Sequence, residues 1–399
     1  MNKKNRRQHS DYVDIPPRRE QNNTAQRSRH AIKHKPNVRR KRVFLALLVI
    51  TLGIFYGGGA YLYNMLYTAK TAVTKTYTKS NVKKLRNVSQ VLKSKKAISI
   101  LLLGTDTGDL GRTDKGRTDT IIIATINPST KRVTLTSIPR DLQVKVSGSS
   151  DSYDKINAAY TIGGVSSSIK TIQNTLHIPI DFYVLVNMGG LKKIVNAIGG
   201  VTITPTLTFS YDSVSVTKGK KVTLNGSKAL AYSRMRYSDP LGDYGRQKRQ
   251  RQIITAIIKK SMSVSTLSSY KKLLATLEDN MKTDLTYNDI LTIISEYKDA
   301  GKTIKSYTLQ GEDATINGVS YQVGTAETKK KTSTRIRKEL GLNASTATFI
   351  GRIYSSYSSY GTTSSYGSTS SSSYYGNYST RSSYSTYGGR YSTSSSSRY

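Results

Sequence analysis

One stretch of the chain decides the fold, and it reads Gly116-Arg-Thr-Asp119-Thr-Ile-Ile-Ile-Ala-Thr-Ile126-Asn-Pro128-Ser-Thr-Lys-Arg132-Val-Thr-Leu-Thr-Ser-Ile-Pro-Arg140-Asp141. Residues 120–126 and 132–138 are short, apolar and rich in β-branched side chains, which predicts two strands. Asn-Pro-Ser-Thr-Lys between them predicts a turn. An antiparallel hairpin centred on Ser129 places Asp119 opposite Pro139 and Arg140. Its open end therefore pairs a carboxylate with a guanidinium.

A glycine-rich loop connects this hairpin to an apolar run that precedes it. Residues 97–103 predict a further strand, which ends at Gly104. If this strand runs antiparallel to the next one, Asp106 arrives at the same sheet edge as Asp119 and Arg140. Carboxylates beside arginines on such a loop are typical of a metal and phosphate site.

The bulk composition narrows the kinds of partner and of metal site. The 399 residues include 62 Lys and Arg against 24 Asp and Glu, a formal charge of +38, which calls for an anionic partner. Nucleic acid, acidic lipid, a phosphorylated glycan and an anionic cell wall all qualify, but the chain shows no recognised nucleic-acid-binding signature, so no nucleic acid is expected. The absence of cysteine excludes disulfides and thiolate metal sites, and His177 is the only histidine after residue 34.

The N-terminal region predicts a membrane anchor. Residues 1–42 are polar and basic, which predicts a disordered leader, whereas residues 43–67 are uncharged and long enough to span a bilayer. The alternative is a cleaved signal peptide, which needs a short leader and an apolar core of about 7–15 residues. The sequence favours an uncleaved anchor with a cytoplasmic N-terminus and an extracellular stalk over residues 68–96 that rests near lipid headgroups.

Residues 97–342 alternate between strand and helix patterns, which predicts a mixed α/β domain with a central sheet covered by helices. Predicted helices lie at 154–176, 191–198, 226–231, 246–262 and 287–297, and further strands at 182–186, 201–204, 306–309 and 319–323. Residues 343–399 form a tail that becomes rich in Ser, Tyr and Gly beyond residue 350 and is predicted to be disordered. Its tyrosines would either bind sugars weakly or belong to a flexible extension.

A second charged cluster lies at residues 232–252. If residues 232–236 are extended, Arg234 and Arg236 point to the same side, and Asp243 is a candidate cap of the following helix. One face of that helix would carry charge at one end and isoleucine at the other, through Arg246, Arg249, Gln250, Ile253 and Ile257. Such a stripe suits an amphiphile with a charged head and an apolar tail. The alternative is a solvated basic face followed by core isoleucines.

Several motifs occur in a set order along the chain. They are Gly104-Thr-Asp106, Gly116-Arg-Thr-Asp119-Thr, Asn127-Pro128, Ser137-Ile-Pro-Arg140-Asp141, Lys155-Ile-Asn-Ala-Ala-Tyr160, Gly163-Gly164, Ala197-Ile-Gly-Gly-Val201, Tyr232-Ser-Arg-Met-Arg236, and Gly242-Asp-Tyr-Gly-Arg246 through Arg249-Gln250. This order, over roughly residues 97–260, resembles the LytR-CpsA-Psr family of bacterial cell-envelope proteins.

The resemblance implies an α/β/α sandwich outside the membrane that acts as a phosphotransferase. Its donor would be a teichoic acid or a capsular or wall polysaccharide on undecaprenyl pyrophosphate, and its acceptor peptidoglycan, at the C6 hydroxyl of N-acetylmuramic acid; a side pyrophosphatase activity is also implied. On matching positions, Asp106 and Asp119 would hold Mg²⁺ or Mn²⁺. The pyrophosphate would contact Arg117, Arg140, Arg234, Arg236 and Arg246, with Arg249 and Gln250 beside them.

The mechanism leaves two points open, the proton acceptor and the role of Arg112. Phosphoryl transfer depends mainly on positioning and charge neutralisation, which Asp106, Asp119 and Arg140 would supply as catalytic residues. The proton acceptor is Asp119, Asp141 or Asp243. Gly108 stands where many family members carry an arginine, so Arg112 replaces that contact or the contact is missing.

A polyprenyl chain also needs an apolar groove, for which Ile253 and Ile257 are candidates. The rival interpretation is a non-catalytic, membrane-tethered protein that binds phosphorylated glycans or regulates the envelope. Loss of polymer attachment on replacing Asp106 and Asp119 distinguishes the two.

Overall fold

Short runs of isoleucine, leucine, valine and threonine form a six-stranded mixed sheet at the centre of the fold. The computed structural model describes residues 74–106, 116–150, 153–263 and 280–351, with isolated residues between 49 and 71. Numbered along the chain and given in spatial order, the strands are β11 (Met281–Thr283), β6 (Phe182–Asn187), β1 (Ile98–Thr105), β2 (Thr118–Asn127), β3 (Arg132–Ser137) and β12 (Thr303–Thr308).

The three strands predicted around the hairpin are confirmed, and so is their pairing. β2 is antiparallel to both β1 and β3, whereas β6 joins β1 and β12 joins β3 in parallel. Ile122 faces Ser137 across the hairpin, so the same register sets Asp119 level with Arg140. The register of β1 shifts after Gly104, where an added Cβ would come within 2.9 Å of the Thr120 side chain.

Helices cover both faces of the sheet, because alternate side chains of β2 are buried on opposite sides. Ile121 and Ile123 belong to one apolar cluster and Ile122 to the other. The predicted mixed α/β architecture is therefore confirmed. The first face is covered by α2 (Ala158–Leu176) and α7 (Ala326–Glu339), and the second by α1 (Val88–Lys93), α5 (Gly242–Ser263) and α6 (Tyr287–Glu296).

A smaller apolar lobe lies beside the sheet. It contains α3 (Met188–Ala197), α4 (Gly226–Arg234) and two antiparallel pairs, β7 (Val201–Ile203) with β10 (Val222–Leu224) and β8 (Phe209–Tyr211) with β9 (Val214–Val216). Their buried side chains share one cluster with Ile253 and Ala256 of α5. The sequence patterns indicated β7 and both helices but not the pairing of these short strands.

Two further ladders and a short helix complete the described elements. β4 (Gln143–Lys145) pairs with β5 (Tyr153–Lys155), β13 (Glu312–Ile316) pairs with β14 (Val319–Val323), and Lys298–Lys302 form a 3-10 helix. Because residues 153–155 form a strand, the helix predicted from residue 154 begins only at Ala158. The helix is kinked at Gly163 and Gly164, and Gly164 has a φ of 63°.

Two helix boundaries in the second cluster also differ from the predictions. α4 continues past residue 231 to Arg234, so residues 232–236 are not extended throughout, and the chain leaves the helix at Met235. α5 begins at Gly242, so Asp243 lies within its first turn rather than capping it from outside. A carboxylate in the first turn is favourable because it faces the positive end of the helix dipole.

The segment that precedes β1 is tied to the sheet by two ion pairs. Arg86 Nε lies 2.6 Å from Asp181 Oδ1, and Lys84 Nζ lies 2.7 Å from Asp284 Oδ2. Asp181 also accepts a hydrogen bond from the backbone nitrogen of Ser99 at 2.7 Å, which links the segment to β1. The last part of the predicted stalk thus contacts the domain.

The predicted leader, most of the anchor at residues 43–67 and the tail from residue 352 onward lie outside the described residues. Within the part of the chain that is described, no helix combines the length and apolar character needed to cross a membrane. Phe349 lies beyond residue 342, the predicted end of the domain, and its side chain is buried. The domain boundaries stay predictions.

Candidate active site

One cavity brings the two predicted clusters together. It has a volume of about 500 Å³ and is bounded by β1 and β6 of the sheet, by α3 and α4, and by α5. Its charged end is lined by Asp106, Asp119, Arg140, Arg234, Arg236 and Arg246. Its apolar wall is formed mainly by Leu102, Val184, Val186, Leu191, Ile194, Leu230, Ile253, Ile254, Ile257 and Ile258. The cavity therefore has the form expected of a site for an amphiphile with an anionic head.

Asp119 and Arg140 are in contact, as the register of the hairpin predicted. Arg140 Nη1 donates a hydrogen bond to Asp119 Oδ1 at 2.6 Å. Arg140 Nε also lies 3.5 Å from Asp141 Oδ2 and 4.0 Å from Asp243 Oδ1. Burial alone would lower the pKa of Arg140, but the charge and hydrogen bond of Asp119, with the charges of Asp141 and Asp243, raise it overall. Arg140 is thus a fixed cation among three carboxylates.

Arg246 enters the same end of the cavity from the first turns of α5. Its Nη2 donates to Asp243 Oδ1, and Gln247 Nε2 donates to Asp243 Oδ2 at 2.8 Å. Burial lowers the pKa of Arg246; the charge of Asp243 opposes this shift and that of Arg140 adds to it. Two guanidinium groups that repel each other at one end of a cavity are well placed to bind a phosphate group.

Arg234 and Arg236 reach the cavity from the end of α4. Both side chains are half-buried, and Met235 between them is fully buried. The two arginines lie on the same side, as predicted, although the local structure is a helix end and not a strand.

Arg249 has a different role from the one expected. It is only 2% exposed, and it is not among the described residues that line the cavity. Its Nη1 donates to Asp239 and its Nη2 donates to the carbonyl of Met235. Its guanidinium therefore holds the 235–241 loop, the segment that connects α4 to α5, instead of facing a ligand in the cavity.

The other predicted phosphate contacts divide into three cases. Gln250 lines the cavity. Arg117 is exposed and is not among the described lining residues, and Arg112 falls in the undescribed segment 107–115. The question of whether Arg112 replaces a contact missing at Gly108 thus lies outside the described residues.

The apolar wall contains more than the predicted Ile253 and Ile257. On α5, Ile254 and Ile258 also line the cavity, since residues one position apart on a helix can border the same wide cleft. Sequence reasoning missed two rim aromatics, Tyr211 and Tyr237, of which only the second adjoins a predicted motif.

The carboxylates present fit a magnesium-type ion. Asp106, directly after β1, and Asp119, in β2, both line the charged end of the cavity. Among the described residues there is no cluster of three or more His, Cys, Asp or Glu that would form a complete protein cage. One or two carboxylates are what Mg²⁺ commonly receives from a protein, with substrate phosphate oxygens and water supplying the other ligands.

The three candidate proton acceptors differ in their partners. Asp119 is 32% exposed in its side chain and binds Arg140. Asp141 lies 3.1 Å from Lys155 Nζ as well as beside Arg140. Asp243 binds Arg246 and Gln247 through its two oxygens, which leaves it the most heavily engaged of the three.

Proteins with a related sequence and fold identify the family. The LytR_cpsA_psr family model matches residues 61–338. The chain is 43% identical over 303 residues to an Enterococcus faecalis protein named polyisoprenyl-teichoic acid--peptidoglycan teichoic acid transferase TagU, covering 75% of this chain and 96% of the relative.

Two solved structures have a similar fold. The crystal structure of protein gbs0355 from Streptococcus agalactiae is 38% identical, with a TM-score of 0.61, and the match covers 68% of this chain and 96% of that one. A structure of TagT bound to LIIa-WTA is 29% identical, with a TM-score of 0.53, and the match covers 66% of this chain and 96% of that one. Because the family model spans most of the chain and the similarity extends over almost the full length of these relatives, this chain belongs to the LytR_cpsA_psr family.

Proposed function

We propose that this protein is a membrane-anchored phosphotransferase that moves a glycopolymer from undecaprenyl pyrophosphate to peptidoglycan. The observation that carries the proposal is a cavity in which two aspartates and four arginines adjoin a long apolar wall. A lipid pyrophosphate has the same division into an anionic head and an apolar tail. The name of the Enterococcus faecalis relative supports a teichoic acid as the polymer, as does the ligand of TagT.

The arginines would bind the pyrophosphate. Arg140 and Arg246 are held by carboxylates that fix their side chains, while Arg234 and Arg236 complete the charged end of the cavity. Guanidinium groups match phosphate oxygens in two places at once, and in a cavity shielded from water their attraction for phosphate is stronger than at a surface.

Asp106 and Asp119 would hold Mg²⁺ or Mn²⁺ against the pyrophosphate. When bound, the ion supplies charge neutralisation on the phosphate oxygens. Asp119 already contacts Arg140, so the same carboxylate would orient an arginine toward the leaving phosphate.

The apolar wall would hold the first isoprene units of the carrier. Ile253 and Ile257, with Ile254 and Ile258, give this wall a branched aliphatic surface that excludes water from the anionic end.

In the proposed step, a peptidoglycan hydroxyl, the C6 hydroxyl of N-acetylmuramic acid, attacks the phosphorus that bears the glycan. The new oxygen–phosphorus bond forms as the bond to the bridging oxygen breaks, and polyprenyl phosphate leaves. The proton of the hydroxyl passes to a carboxylate. Of the three candidates beside Arg140, Asp119 has the most exposed side chain.

The test is a transfer assay on the full-length protein with a polyprenyl-pyrophosphate-linked glycan, peptidoglycan and Mg²⁺. We expect Asp119→Asn and Arg140→Ala to lower the transfer rate by about 100-fold or more, because each removes a charge from the reacting centre. Chelation of the divalent ion should abolish transfer. Asp299→Asn is the matched control, since Asp299 pairs with Lys302 on the surface and does not line the cavity.

Transfer at the normal rate by Asp119→Asn would contradict the catalytic assignment. A wild-type protein that binds the donor but transfers nothing in the presence of metal would support the rival role as a phosphoglycan-binding protein.

A further inference from the structure

Tyr237 is a large aromatic side chain that the fold leaves in solvent at the cavity. It is 93% exposed, the highest value for a large hydrophobic side chain among the described residues. It nevertheless lines the cavity. Packing in the protein core therefore does not account for the tyrosine.

The 235–241 loop that carries Tyr237 is firmly held. Arg249 binds both the Met235 carbonyl and the Asp239 carboxylate, so one buried guanidinium joins the two sides of the loop. The Asp239 backbone nitrogen donates to the Arg236 carbonyl at 3.1 Å, and Asp239 Oδ1 accepts from the Leu241 backbone nitrogen at 2.8 Å. The exposed ring is thus presented by an ordered turn, which lowers the entropy that binding would cost.

The ring lies next to the charged end of the cavity. The Arg236 guanidinium, one of the lining arginines, is 6.0 Å from the centroid of the Tyr237 ring. If the lipid occupies the isoleucine wall and the pyrophosphate lies among the arginines, the group bonded to the outer phosphate must leave the cavity beyond them. In a lipid-linked glycan that group is a sugar ring.

Aromatic faces suit sugar rings for a physical reason. One face of a pyranose consists largely of C–H groups, which carry partial positive charge and pack on the negative face of an aromatic ring, while the hydroxyl edge stays in water. An exposed tyrosine provides such a face with a hydroxyl at its own wet edge.

We propose that Tyr237 is a stacking platform for the first sugar ring of the donor, so that the protein recognises a saccharide and not only a lipid pyrophosphate. This inference rests on the proposed function of the cavity.

The role of Tyr237 is tested by measuring the affinity of the full-length protein for two probes. The first probe is farnesyl pyrophosphate, which has no sugar, and the second is the same lipid pyrophosphate bearing N-acetylglucosamine. Tyr237→Ala should weaken binding of the sugar-bearing probe roughly three- to tenfold and leave the sugarless probe unchanged, while Tyr237→Phe keeps normal binding of both. Leu241→Ala is the matched control, because Leu241 is 60% exposed on the same loop and does not line the cavity.

An equal effect of Tyr237→Ala on both probes, or no effect on either, would overturn the platform. A wild-type protein that binds neither probe would overturn the function proposed for the cavity, and the platform with it. A third measurement compares the binding of the same variants to phosphatidylglycerol vesicles. If Tyr237→Ala and Leu241→Ala both weaken vesicle binding and sugar discrimination is unchanged, the loop contacts a bilayer and the platform is refuted.

Discussion

Arg246 and Arg249 lie three residues apart on α5, yet their guanidinium groups have different partners. Arg246 binds Asp243 at the cavity, whereas Arg249 forms an ion pair with Asp239 in which the two side chains are only 2% and 7% exposed. Taking one member away from a buried ion pair leaves an uncompensated charge in a medium that solvates it poorly. Arg249 is therefore required by the folded state itself.

We predict that Arg249→Ala lowers the free energy of unfolding by about 3–5 kcal/mol, because Asp239 would remain buried without its cation. Lys248→Ala, at the exposed neighbouring position of the same helix, should change it by less than about 0.5 kcal/mol. Urea unfolding of the three proteins measures both values. Equal stability of Arg249→Ala and Lys248→Ala would contradict a structural role for the ion pair.

Helix α5 is the element that connects the parts of the site. Its first turns supply Asp243 and Arg246, its middle supports the 235–241 loop through Arg249, and its later turns supply the isoleucine wall. The close approach of this helix to the loop occurs at Gly245, where an added Cβ would lie 1.9 Å from Asp239 Oδ2. A glycine inside a helix normally lowers the stability of the helix, but here it leaves room for the buried carboxylate of Asp239.

We expect Gly245→Ala to lower the free energy of unfolding by about 1–3 kcal/mol, although alanine is intrinsically the better helix former by about 1 kcal/mol. In an Asp239→Ala background the clash is absent, so the same substitution should become stabilising. A double-mutant cycle followed by urea unfolding detects this change of sign. Stabilisation by Gly245→Ala in the wild-type background would refute the steric interpretation.

At the level of the whole molecule, the formal charge of +38 calls for an anionic partner, and the uncharged run at residues 43–67 predicts a membrane anchor. An anchor with a basic cytoplasmic flank would leave the cavity outside the cell, where peptidoglycan lies. The ion pairs of Lys84 and Arg86 with Asp284 and Asp181 would then join the domain to the segment that leads from the anchor.

The lack of any native cysteine allows a clean test of this topology. We expect a membrane-impermeant maleimide to label Lys330→Cys, on an exposed position of α7, in intact protoplasts, and to label Ser10→Cys only after lysis. Labelling of Ser10→Cys in intact protoplasts would reverse the orientation.

The hairpin and its charged end were predictable because they depend on local chain geometry. The turn at Asn127 and Pro128 sets the register of β2 against β3, and the same register continued past Ile122 and Ser137 brings Asp119 level with Arg140. The kink of α2 at Gly163 and Gly164 also has a local cause, since glycine readily adopts non-helical backbone.

Helical spacing did not predict that the arginines of α5 have different partners. Arg246 and Arg249 share a helix face by sequence, and the docking of α5 against the 235–241 loop directs one to the cavity and the other to Asp239. The short strands of the smaller lobe likewise lack enough local pattern to set their pairing, which depends on the apolar cluster that they share with α3, α4 and α5. Local periodicity determines where a side chain can point, and long-range packing determines which partner it meets there.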